Sequence, residues 1–220
     1  ALKALSRPAG RFDASRYFRG TRNLGFHNIG TQTVRRMAAN IASEHRGAWS
    51  IDDATAFADR LIVDRFLEAK ILAVEVVARY WRDFSPRMLP IWKRWLADDH
   101  SDNWATTDAI CGRLIGPLLA KHPALIARMS KWSRHPNMWV RRASAVSLVG
   151  CARNGQALDD VYAIAQRLRG DRPDAAHAAA EERQAEGCVS GKGGVVHRPC
   201  RLRDPLSPSG PWRDTGRGSG

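Results

Sequence analysis

The chain is short of acid. It carries 22 Asp and Glu against 35 Lys and Arg in 220 residues, a formal charge of +13. Such an excess suits a polyanionic partner, either nucleic acid or an anionic membrane surface. Long apolar runs are missing as well: no stretch approaches the ~18 uncharged apolar residues of a spanning helix. The first residues do not show the basic-then-apolar order of a secretory leader. Cysteine is scarce. Cys111, Cys151, Cys188 and Cys200 form no C-x-x-C pair, and four are too few for a disulfide scaffold. A reducing, intracellular compartment is the simpler reading. The seven His include no His-x3-His and no Cys/His cluster, which argues against a structural zinc site. No cofactor and no metal are expected. Useful lengths of apolar–polar alternation are absent too, so no strands are expected.

What is present is ordinary globular material. Hydrophobic residues make up 44% and charged residues 26%, which excludes wholesale disorder and leaves chain enough for one domain or a tight pair. The positive charge is uneven. Residues 101–150 hold seven basic and two acidic residues, a denser excess than residues 1–100 or 151–220 show taken whole, and tryptophans gather around the same stretch.

From about residue 31 to 170 the apolar spacing is helical nearly throughout. Thr31 is placed to cap a helix through Val34, Met37, Ala38 and Ile41. Asp52 or Asp53 caps the next, through Phe57, Leu61 and Ile62. Ile71, Leu72, Val74, Val76 and Val77 make a helix that is apolar on most faces and therefore buried. Pro86 and Pro90 open another, with Trp92, Trp95 and Leu96. His122-Pro123 and Pro136-Asn137 punctuate the chain, because a residue before proline is pushed out of the helical region. Short helices joined by tight turns suggest stacked helical pairs. Glu68–Ala73 echoes Val140–Ala145, and Lys70 lies 72 residues before Arg142, two steps of 36. That period fits helical-hairpin repeats; a plain bundle is the alternative.

Three parts follow: an N-terminal segment over 1–12, a helical domain over 13–171 and a tail over 172–220. The tail is rich in Gly, Pro and Arg and loses apolar periodicity. Such sequence cannot bury enough apolar surface to offset its ordering entropy. A disordered tail and a shifted reading frame both account for it.

Two clusters carry chemistry. In Asn103-Trp104-x3-Asp108, the tryptophan and the aspartate lie four apart, on one helical face. In Asn137-Met138-Trp139-Val140-Arg141-Arg142-Ala143, Trp139 and Arg142 lie three apart. Singly, each has a plain reading: a core tryptophan, a structural ion pair, a solvated basic face. Joined in order with Lys121-His122-Pro123 and Lys131-Trp132, the set resembles the HEAT-like-repeat DNA glycosylases of the AlkD type. The similarity extends loosely upstream to Tyr17-Phe18-Arg19-Gly20 and Leu24–Thr31, and covers roughly residues 10–170.

The resemblance implies an all-α fold, a HEAT-like helical-repeat solenoid over 13–171 with a basic concave surface for duplex DNA. It implies DNA repair by excision of cationic alkylated purines, 3-methyladenine and 7-methylguanine, in a monomeric enzyme of the bacterial cytoplasm and nucleoid. No membrane is involved. Asp108 takes the place of the family's catalytic carboxylate, Trp104 the indole beside the lesion, and Arg142 the arginine near the damaged nucleotide. Arg141, Trp139, Lys121, Lys131, Arg35 and Arg36 join Arg142 as DNA-binding residues. Where the family carries a second tryptophan, this chain reads Asp174–Glu181 without one. The alternative is a non-catalytic helical-repeat DNA-binding module, or a member inactivated by its C-terminus.

Overall fold

The computed structural model describes residues 2–8, 17, 18, 21 and 24–170. The tail over 172–220 lies outside the described residues, as do residues 1 and 9–12 of the N-terminal segment and residues 13–16, 19, 20, 22, 23 and 171. Helices account for nearly all regular structure: α1 (Leu2–Leu5), α2 (Thr31–Glu44), α3 (Ile51–Ile62), α4 (Leu67–Ala78), α5 (Leu89–Ala97), α6 (Trp104–Ile110), α7 (Gly116–Lys121), α8 (Ile126–Trp132), α9 (Met138–Val146), α10 (Val149–Arg153) and α11 (Leu158–Leu168). Among the described residues there is no strand; Gly25 and Phe66 form one isolated bridge. The all-α expectation holds.

The punctuation read from the sequence sets the helix ends. Asn137 stands before α9 and its side chain accepts from the N–H groups of Trp139 and Val140. Asn103 does the same for α6, accepting from Thr106 N–H at 2.8 Å. Each satisfies amide donors that a helix start leaves unpaired. The lysine ending α7 is followed by His122 in a non-helical conformation before Pro123. Two expected caps differ. Thr31 is the first helical residue, and Gly30 precedes it without a side-chain cap. For α3 the cap is Ser50, which accepts from Asp53 N–H while the Asp53 carboxylate accepts from Ser50 N–H. Asp53 is the third residue of a capping box, because a short hydroxyl at the cap and a carboxyl three residues on satisfy two donors reciprocally.

Helix α4 is buried on almost every face. It packs on α2 and α3 on one side and meets α6 on the other, so it has no solvent face to populate with charge. Helix α6 in turn meets α9, and α9 meets α8 and α11. Side-chain bonds between these layers recur at a steady sequence separation. Asp59 to Trp95 spans 36 residues, Asp108 to Arg142 34, Glu75 to Arg113 38 and Asn137 to Ala97 40.

Between α6 and α7 the chain widens into a π turn over Cys111–Ile115. Pro117 follows, and it has no N–H to continue the helical ladder. Packing at Gly116 is close: a Cβ there would lie 3.1 Å from the Cys111 carbonyl oxygen and 3.3 Å from that of Ser147.

Candidate active site on helices α6 and α9

Trp104 and Asp108 occupy successive turns of α6, and the loop before them is held from two sides. Lys70, 4% exposed, donates from Nζ to the carbonyl oxygens of Ile62 at 3.1 Å and His100 at 2.5 Å. Its ammonium also lies 3.7 Å from the Asp102 carboxylate. Burial pulls the Lys70 pKa down, and the neighbouring Asp102 charge opposes that pull. From the other side, Asn137 Nδ2 donates to the Ala97 carbonyl at 3.2 Å and to Asp99 Oδ1 at 2.7 Å. Asp99 and Asp102 both have positive φ, 57° and 30°, so this loop is tightly turned before Asn103 starts the helix.

Asp108 meets Arg142 in a fork. Nε donates to Oδ1 at 2.8 Å and Nη2 to Oδ2 at 2.9 Å. Paired bonds of this kind fix a carboxylate in plane and position as well as stabilising its charge. The side chains remain open to solvent, 26% for Asp108 and 39% for Arg142. A cleft of about 390 Å³ adjoins them, with Asp108, Arg113, Ser147, Arg153 and Gln156 on its walls. Cys111 also reaches this cleft, but burial pushes its thiol pKa up to about 12. It stays protonated at neutral pH and is no thiolate nucleophile.

Trp104 is 39% exposed. Its indole stacks on Phe18 with centroids 5.3 Å apart and planes 9° from parallel, and its Nε1 donates to the Tyr17 carbonyl at 3.4 Å.

The other expected DNA-binding residues fall into different settings. Lys131 on α8 and Arg36 on α2 are exposed. Arg35 is half-buried and donates from Nε to Glu75 Oε1 at 3.1 Å. Lys121 donates to the carbonyls of Arg82 and Phe84 at 2.7 and 2.9 Å, and Arg141 to those of His135 and Pro136 at 2.9 and 2.6 Å. These two cations therefore satisfy loop carbonyls. Trp139 is 5% exposed and fills the core.

Glu75 is not among the residues expected from the sequence. It is 2% exposed and bridges two arginines, Arg35 and Arg113, the latter at 3.0 Å from Oε2. The signal was a carboxylate within a helix buried on most faces, since such a group persists only when paired. Phe18 enters the sequence expectations only through the upstream similarity, and no spacing rule links it to Trp104 across 86 positions.

Among the described residues, no three His, Cys, Asp or Glu side chains gather closely enough to hold a metal ion. No described helix is long and apolar enough to cross a membrane. Among curated proteins no match was found. The profile of the DNA alkylation repair enzyme family matches residues 1–181. That match spans every described helix and includes Trp104, Asp108 and Arg142, and the chain belongs to the DNA alkylation repair enzyme family.

Proposed function

We propose that this chain is a DNA glycosylase that hydrolyses the N-glycosidic bond of cationic alkylated purines, such as 3-methyladenine and 7-methylguanine, in duplex DNA. One observation carries the reading: a partly open carboxylate, Asp108, held in a two-bond fork by Arg142 one helical turn from an accessible tryptophan.

The chemistry suits one carboxylate. A purine alkylated at N3 or N7 is already positive, so it departs as a neutral base and needs no general acid. The bond to C1′ breaks with its electron pair going to the base, and positive charge develops on the sugar. An ionised Asp108 beside C1′ stabilises that charge more in the transition state than in the ground state. It also accepts the proton of the water that adds to C1′. The Trp104 indole face attracts the cationic nucleotide, worth ~0.5–2 kcal/mol. Arg142 has two uses. In the free protein it holds the Asp108 carboxylate in one orientation. A phosphate of the damaged strand competes for the same guanidinium and leaves the carboxylate to the sugar. Arg36 and Lys131 supply phosphate contacts with the duplex, with Arg35 beside Arg36 on α2.

The second reading, a DNA-binding module without catalysis, draws on the same fork: a carboxylate fully satisfied by arginine also serves as a plain brace. Release of 7-methylguanine from methylated duplex DNA separates the two. Excision that is lost in Asp108→Asn while duplex binding persists supports the glycosylase; duplex binding with no release by the parent chain supports the module.

A further inference from the structure

Trp104 is not held by α6 alone. Its indole lies parallel to the Phe18 ring at 5.3 Å, and Phe18 itself lies 5.5 Å from Phe26 at a tilt of 37°. These three rings form a short ladder that leads from the first described layer to the candidate site. The foot of the ladder is bolted down. Gly25 N–H donates to the Arg65 carbonyl at 2.8 Å, and Leu67 N–H donates back to the Gly25 carbonyl at 3.0 Å. The N–H groups of His27 and Ile29 both donate to the Glu68 carboxylate, at 2.9 and 3.2 Å, and Glu68 is buried. The His27 ring stacks on Phe66 at 4.0 Å. The Thr21 N–H and hydroxyl both donate to the Phe18 carbonyl. The Tyr17 carbonyl meanwhile accepts the indole N–H.

From this geometry we propose that Phe18 is a positioning residue for Trp104. Its ring backs one face of the indole, and the Tyr17 carbonyl fixes the rotation of the indole about the stack. The remaining face and edge are presented to the nucleotide in one orientation. The stack is anchored through Gly25, His27 and Ile29 on α4, so it acts as a fixed backing and not as a plug that substrate must expel. Preorganisation of this kind acts on the chemical step, because a group misplaced by a fraction of an ångström still binds but no longer meets the transition state. The inference rests on the glycosylase reading for its chemical sense, and on ring geometry for its structural part.

Full-length protein labelled with 5-fluorotryptophan tests it. The chain has eight tryptophans, and the Trp104 fluorine signal is assigned by its loss in Trp104→Phe. Phe18→Leu keeps apolar bulk and removes the stacked ring. The expected result is a shifted or broadened Trp104 signal with the other seven in place, and recovery of the parent signal in Phe18→Tyr. In single-turnover excision of 7-methylguanine, Phe18→Leu lowers the rate about tenfold at saturating enzyme, with half-saturation unchanged. In a Trp104→Ala background the same change adds no further loss. An unmoved Trp104 signal in Phe18→Leu overturns the proposal, as does an equal rate loss with and without Trp104. A parent chain that releases no base refutes the glycosylase reading, and the fluorine signal still decides where the indole is held.

Discussion

Two carboxylates sit one layer apart, Glu75 on α4 and Asp108 on α6, and each receives an arginine from the layer that follows. Glu75 lies at the centre of a buried helix. Two arginines, from the layers before and after, hold both of its oxygens, and its side chain is 2% exposed. Asp108 has Arg142 on both oxygens, remains a quarter exposed and borders a cleft. The same device thus yields a brace in one layer and a reachable anion in the next. Exposure and neighbouring space, not residue type, separate the two. A carboxylate enclosed by two cations has nothing left to offer a ligand. One that shares a single arginine with solvent offers both charge and room for a sugar.

The largest expected effect falls on the brace. Glu75→Gln removes the charge that Arg35 and Arg113 share and leaves a partly satisfied group in the core. Breaking such a pair costs about 3 kcal/mol of folding stability, read as a lower midpoint in urea with the slope unchanged. A loss below about 1 kcal/mol would show that the two arginines turn to solvent without strain, and the contrast with Asp108 would weaken.

Asp108→Asn should reverse the pattern. Folding stability changes by less than about 1 kcal/mol, because the pair is partly solvated. Excision of 7-methylguanine falls by roughly 10²-fold or more, the scale of a preorganised transition-state contact. Duplex affinity holds or rises, since a negative charge facing phosphates is gone. Equal excision by parent and variant would make Asp108 a second brace.

A smaller effect separates two lysines that look alike in the sequence. Lys131→Ala should lower the slope of log affinity against log salt by about one unit and leave stability in place. Lys121→Ala should leave that slope alone and cost about 1 kcal/mol of stability, because the Arg82 and Phe84 carbonyls lose their donor. Identical salt slopes for both variants would remove Lys131 from the duplex contact.

The lysine contrast marks the limit of what the sequence discloses. Helical class, proline breaks and asparagine starts are local properties, so they are legible in windows of a dozen residues. The 36-residue echo is a faint internal similarity; in the structure, four side-chain bonds between helical layers join residues 34 to 40 positions apart. Trp104 and Asp108 are legible as neighbours by helical spacing. The use of Lys121 is not, because its carbonyl partners lie 37 and 39 residues away in a loop whose turn no local rule specifies. Trp139 shares the difficulty. An indole at helical spacing suits the core and a ligand equally well, and only its burial in the folded chain shows that the core has it. The cap of α3 is a local property too: Ser50-Ile51-Asp52-Asp53 is a capping-box pattern in which the serine, and not either aspartate, is the cap.

A third carboxylate completes the series and gives the smallest effect. Asp53 is fully exposed, and its partner is local: its carboxylate accepts from Ser50 N–H at 2.9 Å and from the Ser50 hydroxyl at 2.7 Å. These bonds favour the ionised form and hold its pKa below the ordinary 3.8, the Ser50 hydroxyl acting most strongly. A carboxyl whose pKa is lower folded than unfolded adds stability that is fully present above the unfolded value. That contribution is lost as pH falls through the folded one. Asp53→Asn removes the titration and keeps an acceptor at the same place. The parent should therefore melt slightly above Asp53→Asn at neutral pH, by a constant margin down to about pH 5. Below 3.8 the margin should shrink and then close. Thermal melts at closely spaced pH values measure it. A margin that stayed constant to about pH 2 would mean that the charge contributes nothing and that the cap acts through its geometry alone. Glu75, Asp108 and Asp53 would then differ in kind and not merely in enclosure.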